Sequence, residues 1–178
     1  FKKTITIIGS GWLATRYLKR FHHLYSHIVT TSKSSPAPTA STQHVFYDMY
    51  KKQSLSLPKT HYCLISVPFQ RTLIDPNQYL DGIQHTYKEI CSNHYESTIF
   101  TSSTSVYNNH NNIVTEQSPN SINKRAKALA KTEAFVLQNI KSGFVLRLSG
   151  LCGDNRNSKK KLQEPIINNA KTPINLIH

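Results

Sequence analysis

No apolar run in this chain approaches the roughly 20 residues that cross a bilayer, so a membrane span is excluded. No signal peptide precedes the first strand, and a cytoplasmic protein is expected. Cysteine is scarce. Cys63, Cys91 and Cys152 are odd in number and lack metal-ligand spacing, so reduced core thiols are expected. His22, His23 and His27 have no carboxylate or cysteine at useful spacing, and no metal is expected. Acids are short as well: 9 Asp and Glu against 22 Lys and Arg, a formal charge of +13. The bases are scattered, apart from Lys159-Lys160-Lys161. Scattered charge reads as a solvated surface rather than a nucleic-acid site, although the overall field favours anionic ligands. Internal repeats and domain-dividing linkers are both missing, which makes 178 residues one domain with a substantial core.

What the chain does contain is alternating strand and helix signals. Strands are expected at 4–8, 27–31, 44–46, 61–67, 97–101 and 143–148. Helices are expected at 12–24, at 76–94 and at 121–140, the last started by Ser118-Pro119. A Ser/Pro-rich loop fills 32–43, and the polar run 108–112 reads as a turn. This alternation predicts an α/β fold: a doubly wound parallel sheet with helices on both faces.

Two segments concentrate the chemistry. In Ile5-Thr-Ile-Ile-Gly9-Ser10-Gly11-Trp12-Leu13-Ala14, a strand passes through a glycine turn into a helix. Leu13, Tyr17, Leu18, Phe21 and Leu24 then recur at helical spacing. A pyrophosphate needs backbone N–H donors at the positive end of a helix dipole, reached where no Cβ intervenes. Gly9 and Gly11 meet that need, and Ala14 takes the small position where helix and strand pack. In the second segment, strand Ile99-Phe100 opens into Thr101-Ser102-Ser103-Thr104-Ser105-Val106-Tyr107. In this order the two look like halves of one nicotinamide-dinucleotide site.

These segments resemble the extended short-chain dehydrogenase/reductase superfamily, the nucleoside-diphosphate-sugar epimerases and dehydratases. Thr115-Glu-Gln-Ser-Pro119, Ala130-Lys-Thr-Glu133 and Val145-Leu-Arg-Leu-Ser-Gly-Leu-Cys-Gly153 fit it too. The likeness is strongest to an atypical subgroup with Gly-x-Gly-x-x-Gly/Ala, since Ile8 stands where the usual first glycine would fall. The resemblance implies a Rossmann fold over residues 1–178. It places the cofactor against Gly9 to Leu13, the Thr31-Ser32-Lys33 end of strand two, Ser66-Val67-Pro68 and Thr101-Ser102. It also gives Ser103 the role of substrate-oxygen ligand, and sets Leu148-Ser149-Gly150 beside the nicotinamide.

Two departures stand out. Family enzymes carry Tyr-x-x-x-Lys on the helix after the hydroxyl strand, the lysine lowering the phenol's pKa for proton exchange. Counting back from Glu133, those positions hold Arg125 and Leu129, and the helix has no other such pair. Family members also continue into a small substrate lobe. This chain stops at Pro173-Ile-Asn-Leu-Ile-His178, resembling the strand that leads there, so the lobe is expected to be missing or truncated.

Strand two ends without the Asp or Glu that accepts ribose hydroxyls in NAD enzymes. Hydroxyls beside Lys33 suit a 2′-phosphate, so NADP is expected over NAD. Two functions stay open. One is an NADP-dependent oxidoreductase or isomerase on a sugar nucleotide or small carbonyl compound, using Ser103 and Arg125 on the substrate oxygen. The other is a non-catalytic dinucleotide-binding regulator or assembly partner. Arg125 would otherwise face solvent or pair with Glu116 or Glu133, and Arg147 is expected to be structural. A homodimer is possible through Tyr79, Tyr87, Ala126, Ala130 and Phe135 on the second and third helices.

Overall fold

A computed structural model describes residues 1–34, 42–70, 72–108, 113–153, 156 and 176–177. Six strands form the sheet: β1 Lys3–Ile8, β2 Tyr25–Ser32, β3 Thr42–Phe46, β4 Tyr62–Ile65, β5 Ser97–Ser103 and β6 Gly143–Leu148. All pair in parallel, in the order β3-β2-β1-β4-β5-β6. That is the doubly wound order, and its direction reverses between β1 and β4. A short parallel pair, β7 Gly150–Leu151 with β8 Leu176–Ile177, stands apart from the sheet.

The apolar pattern decides which face each helix covers. Along β1, Ile5 and Ile7 point to one face and Ile8 to the other, the period of two that strands impose. Ile5 and Ile7 pack under helix α1 (Trp12–Phe21), against Ala14, Leu18 and Ile28. Ala14 is fully buried there, so the small residue does permit close packing of helix on strand. Ile8, Ile65 and Phe100 meet α2 (Asn77–Ile90) and α3 (Lys124–Asn139) through Tyr79, Ile83, Leu129 and Val136. No helix among the described residues is long and apolar enough to cross a membrane.

Several boundaries move. α3 begins six residues after Ser118, because Asn123 caps it: its Oδ1 accepts the Ala126 N–H at 2.8 Å. Ser118 instead closes a turn with Thr115. The strand expected at 61–67 leaves the sheet after Ile65, though Ser66 N–H still donates to Ile8 O at 2.8 Å. The cysteines are all free, but only Cys63 is a core thiol; Cys91 is exposed and Cys152 half-buried. Tyr79 and Ala126, expected at a dimer surface, are buried in the core. Tyr87 packs edge-on against Phe135, with centroids 5.6 Å apart, and donates its hydroxyl to Asn139 O, so it ties α2 to α3. Most of loop 108–112, the Lys159–Lys161 run and most of the C-terminal segment lie outside the described residues.

Candidate functional site

The carboxyl ends of β1 and β4 diverge at the point where strand order reverses, the place where open α/β sheets bind ligands. The turn after β1 is built by its own bonds. Gly9 N–H donates to Thr31 O at 3.1 Å and reaches Thr31 Oγ1 at 3.2 Å; Ser10 N–H donates to Thr31 O at 2.7 Å. Thr31 therefore holds the turn through both its carbonyl and its hydroxyl oxygen. Gly9 has φ +90, and a Cβ there would lie 2.9 Å from both Ser66 O and Val67 Cγ2. The chain itself therefore requires glycine at this position.

Gly11 behaves differently. Its φ of −80 suits any residue, and a Cβ would meet no atom of the described residues within 4 Å. It is also the N-cap of α1 and makes no side-chain cap bond. The first N–H groups of any α-helix have no intrahelical carbonyl to reach. They lie at the positive end of the dipole, where an anion is favoured. Beside them Ser10 is only 8% exposed, and its Oγ has no hydrogen-bond partner among the described residues.

A cavity of about 220 Å³ opens at this turn, lined by Gly9, Ser10 and Gly11 on one side and Val67 and Pro68 on another. Thr31, Ser32 and Lys33 complete the walls that the sequence predicted. Lys33 is exposed, while the Ser32 hydroxyl lies 3.1 Å from His44 Nε2. The volume is below the 300–1,000 Å³ of a whole small-molecule site, so it suits one end of a dinucleotide. Tyr47, Asp48, Met49, Tyr50 and Gln70 also line it and were not anticipated. The signal was a short aromatic cluster directly after β3. Asp48 puts a carboxylate on the wall, but its Oδ1 accepts the Tyr50 N–H at 3.1 Å. Burial raises the Tyr50 phenol to about 12.

Other expected cofactor residues lie elsewhere. Leu13 and Thr101 line an apolar groove of about 410 Å³ on the α1 face of the sheet, and Thr101 Oγ1 donates to Ile65 O at 3.3 Å. Period-two alternation separates Thr101 from Ser102, which points to the other face. Ser102 is 8% exposed, and its Oγ has no partner among the described residues. Ser66 lies buried behind Gly9. Trp12 stands outside the cavity, with Arg16 Cζ 4.4 Å from its ring centroid.

Ser103 ends β5 and caps the 3-10 turn Thr104–Val106. Its Oγ accepts from Ser105 N–H at 3.2 Å and from the Ser105 hydroxyl at 2.9 Å. With both lone pairs engaged, its own proton is the part left to donate. Arg125, in the first turn of α3, sets its guanidinium 5.0 Å from the Phe69 ring. Glu133 is not its partner: the nearly buried Glu133 carboxylate is bound by Arg147 Nε at 3.1 Å and Nη2 at 2.7 Å. Arg147 Nη1 also donates to Tyr107 OH at 2.6 Å, pinning the end of the hydroxyl segment. Bonding to Glu133, ahead of every other cause, raises the Arg147 pKa. Leu129, at the position of the family lysine, is 1% exposed in the core. The chain does hold one Tyr-x-x-x-Lys, at Tyr47 and Lys51, but it follows β3, and Tyr47 is buried with its hydroxyl on Thr86.

No protein-family profile and no curated protein sequence matches the chain. Solved structures do. An NAD-dependent epimerase/dehydratase-like protein of Methylobacillus flagellatus superposes with a TM-score of 0.73 at 18% identity, over 100% of this chain and 66% of that one. The chain has the fold of these enzymes. A UDP-galactose 4-epimerase aligns with a TM-score of 0.72 at 16% identity, over 91% of this chain and 63% of its own. The Bordetella bronchiseptica enzyme WbmG, solved with NAD and UDP, gives 0.70 at 13% identity, over 86% and 55%. The chain thus spans 55–66% of the length of the structures it resembles. The α/β Rossmann architecture is the shared part.

Proposed function

We propose that this chain binds a nicotinamide dinucleotide at the β1 turn and serves an NADP-dependent oxidoreductase or isomerase acting on a sugar nucleotide or small carbonyl compound. One observation carries the dinucleotide reading. The N-terminus of α1, without a side-chain cap bond, meets Gly11, where a Cβ would touch no described residue, beside a buried Ser10 hydroxyl without a partner among the described residues. Structures sharing the fold were solved with NAD, alone or with UDP, which supports the same reading. Lys33 on the cavity wall favours the 2′-phosphate, through a charge-assisted bond that a neutral ribose hydroxyl cannot match. With three free cysteines, a reducing compartment such as the cytoplasm suits the chain.

The dinucleotide supplies hydride acceptance and donation; the chain's residues orient and polarise the substrate. The Ser103 hydroxyl, with its acceptor sites filled by Ser105, donates to the substrate oxygen. Arg125, steadied on Phe69, adds a fixed positive charge that stabilises negative charge growing on that oxygen. An arginine stays protonated at any workable pH, so it cannot be the base. Arg147 and Glu133 hold Tyr107, and with it the end of the hydroxyl segment.

Leu129 favours a second reading. A core leucine where the family lysine stands leaves no group to lower a phenol's pKa, as in a non-catalytic dinucleotide-binding regulator or assembly partner. Turnover assays with NADPH over sugar nucleotides and small carbonyl compounds decide between them. On the enzyme reading, Ser103→Ala and Arg125→Ala each lower kcat by up to about 10²–10³, with NADPH affinity near normal. Unchanged turnover in both variants would move the chemistry elsewhere. Tight NADPH binding without turnover on any substrate would favour the regulator.

A further inference from the structure

Trp12 is the chain's single tryptophan and opens α1 directly after Gly11. Two guanidinium groups lie on its ring. Arg16, one turn further along the helix, places its Cζ 4.4 Å from the ring centroid. Arg156, from the segment after β7, places its Cζ 5.4 Å from the same centroid. An antiparallel bridge with Gly153 fixes where that side chain starts, the Arg156 N–H donating to Gly153 O at 2.9 Å. Each cation is attracted by the indole face. Together, though, they bring two like charges to a helix end whose dipole is already positive, on a helix with no acid in its first turn. An anion is favoured at such a helix end.

A second observation points to a ligand at the same place. Ser10, more than nine-tenths buried, lines the cavity on the other side of Gly11, and its Oγ has no partner among the described residues. Along the chain only Gly11 separates Ser10 from Trp12, and a Cβ on Gly11 would meet no atom of the described residues within 4 Å.

We propose that Arg156 is an anion-binding residue of the phosphate turn: held on Trp12, its guanidinium contacts the pyrophosphate of a dinucleotide seated at the N-terminus of α1. The inference rests on the dinucleotide reading above and deepens it by recruiting a residue from beyond β7. A planar guanidinium suits the task, since it can give two parallel N–H bonds to a phosphate while stacked on an aromatic face. Trp12 is the positioning residue. Its ring limits the freedom that the exposed Arg156 side chain would otherwise lose on binding.

Calorimetric titration of the whole protein with NADPH, NADH and 2′-AMP tests this. R156Q is expected to weaken NADPH and NADH by the same factor, about tenfold or more, because both carry the pyrophosphate. 2′-AMP has no pyrophosphate, and its affinity should stay unchanged. R156K, which keeps the charge, recovers part of the loss. W12A reproduces the R156Q loss, and W12F restores most of the affinity. Arg156 is exposed, so its replacement leaves the core untouched. Dinucleotide affinities in R156Q equal to those of the unaltered protein would overturn the inference while leaving the dinucleotide reading intact. So would an equal loss for 2′-AMP, which would show that the effect is not at the pyrophosphate. If the unaltered protein binds neither dinucleotide, the underlying reading itself fails, and the inference with it.

Discussion

Gly9 and Gly11 stand two residues apart, and replacing each by alanine is expected to damage different properties. At Gly9 the backbone has φ +90, where an L-residue is strained by about 1–3 kcal/mol. The new Cβ would also lie 2.9 Å from Ser66 O, a backbone atom fixed by the Ser66–Ile8 hydrogen bond. Overpacking of that kind costs a further 1–3 kcal/mol or so. Gly9→Ala should therefore lose about 2–6 kcal/mol of stability. For a chain of this size each kcal/mol lowers Tm by about 2–4 °C. Gly11→Ala introduces no clash, and alanine's weaker N-cap preference costs about 1 kcal/mol. Its Cβ would instead project into the place proposed for the pyrophosphate, and the same overpacking range corresponds to a ~5–150-fold weaker Kd for NADPH. Urea denaturation and calorimetry on the two variants read both quantities. Equal loss of stability in both, or full NADPH affinity in Gly11→Ala, would refute this division of roles.

Arg147→Met should lower stability by about 3–5 kcal/mol, because it leaves the nearly buried Glu133 carboxylate without its cation; denaturant midpoints showing under 1 kcal/mol would contradict this. Alkali should unfold the protein before arginine or backbone chemistry intervenes. Burial raises the Tyr50 and Tyr95 phenols from 10.0 to about 12. A folded-state pKa raised above the unfolded one gives stability that is complete below about 10 and is lost as pH climbs towards about 12. Circular dichroism from pH 9 to 12 tests this, and a flat stability profile across that window would count against it.

The sheet was legible in the sequence because buried parallel strands are continuous apolar runs, and each was separated from the next by turn chemistry. The start of α3 was not, since Ser118-Pro119 and Asn123 are both valid helix openers and only the side-chain bond to Ala126 decides between them. For the site, the residues of the glycine turn and Lys33, close together in the sequence reading, do line one cavity. Thr101 and Leu13 line a different groove, because alternation along β5 and rotation about α1 send them to the α1 face of the sheet. The wall contributed by Tyr47 to Tyr50 depends on where β3 ends against β2, a long-range pairing with no local signature. Likewise the sequence showed that the Tyr and Lys of the family had been replaced, while only packing shows that Leu129 is core and that Arg147, not Arg125, holds Glu133.

The most direct measurement is calorimetric titration of the unaltered protein and of Lys33→Asp with NADPH and with NADH. The account predicts that the unaltered protein binds both and prefers NADPH. Lys33→Asp should weaken NADPH by about 10–150-fold, the worth of one charge-assisted bond of ~1.5–3 kcal/mol, while NADH changes little. Absence of binding to either dinucleotide at millimolar concentration would contradict it.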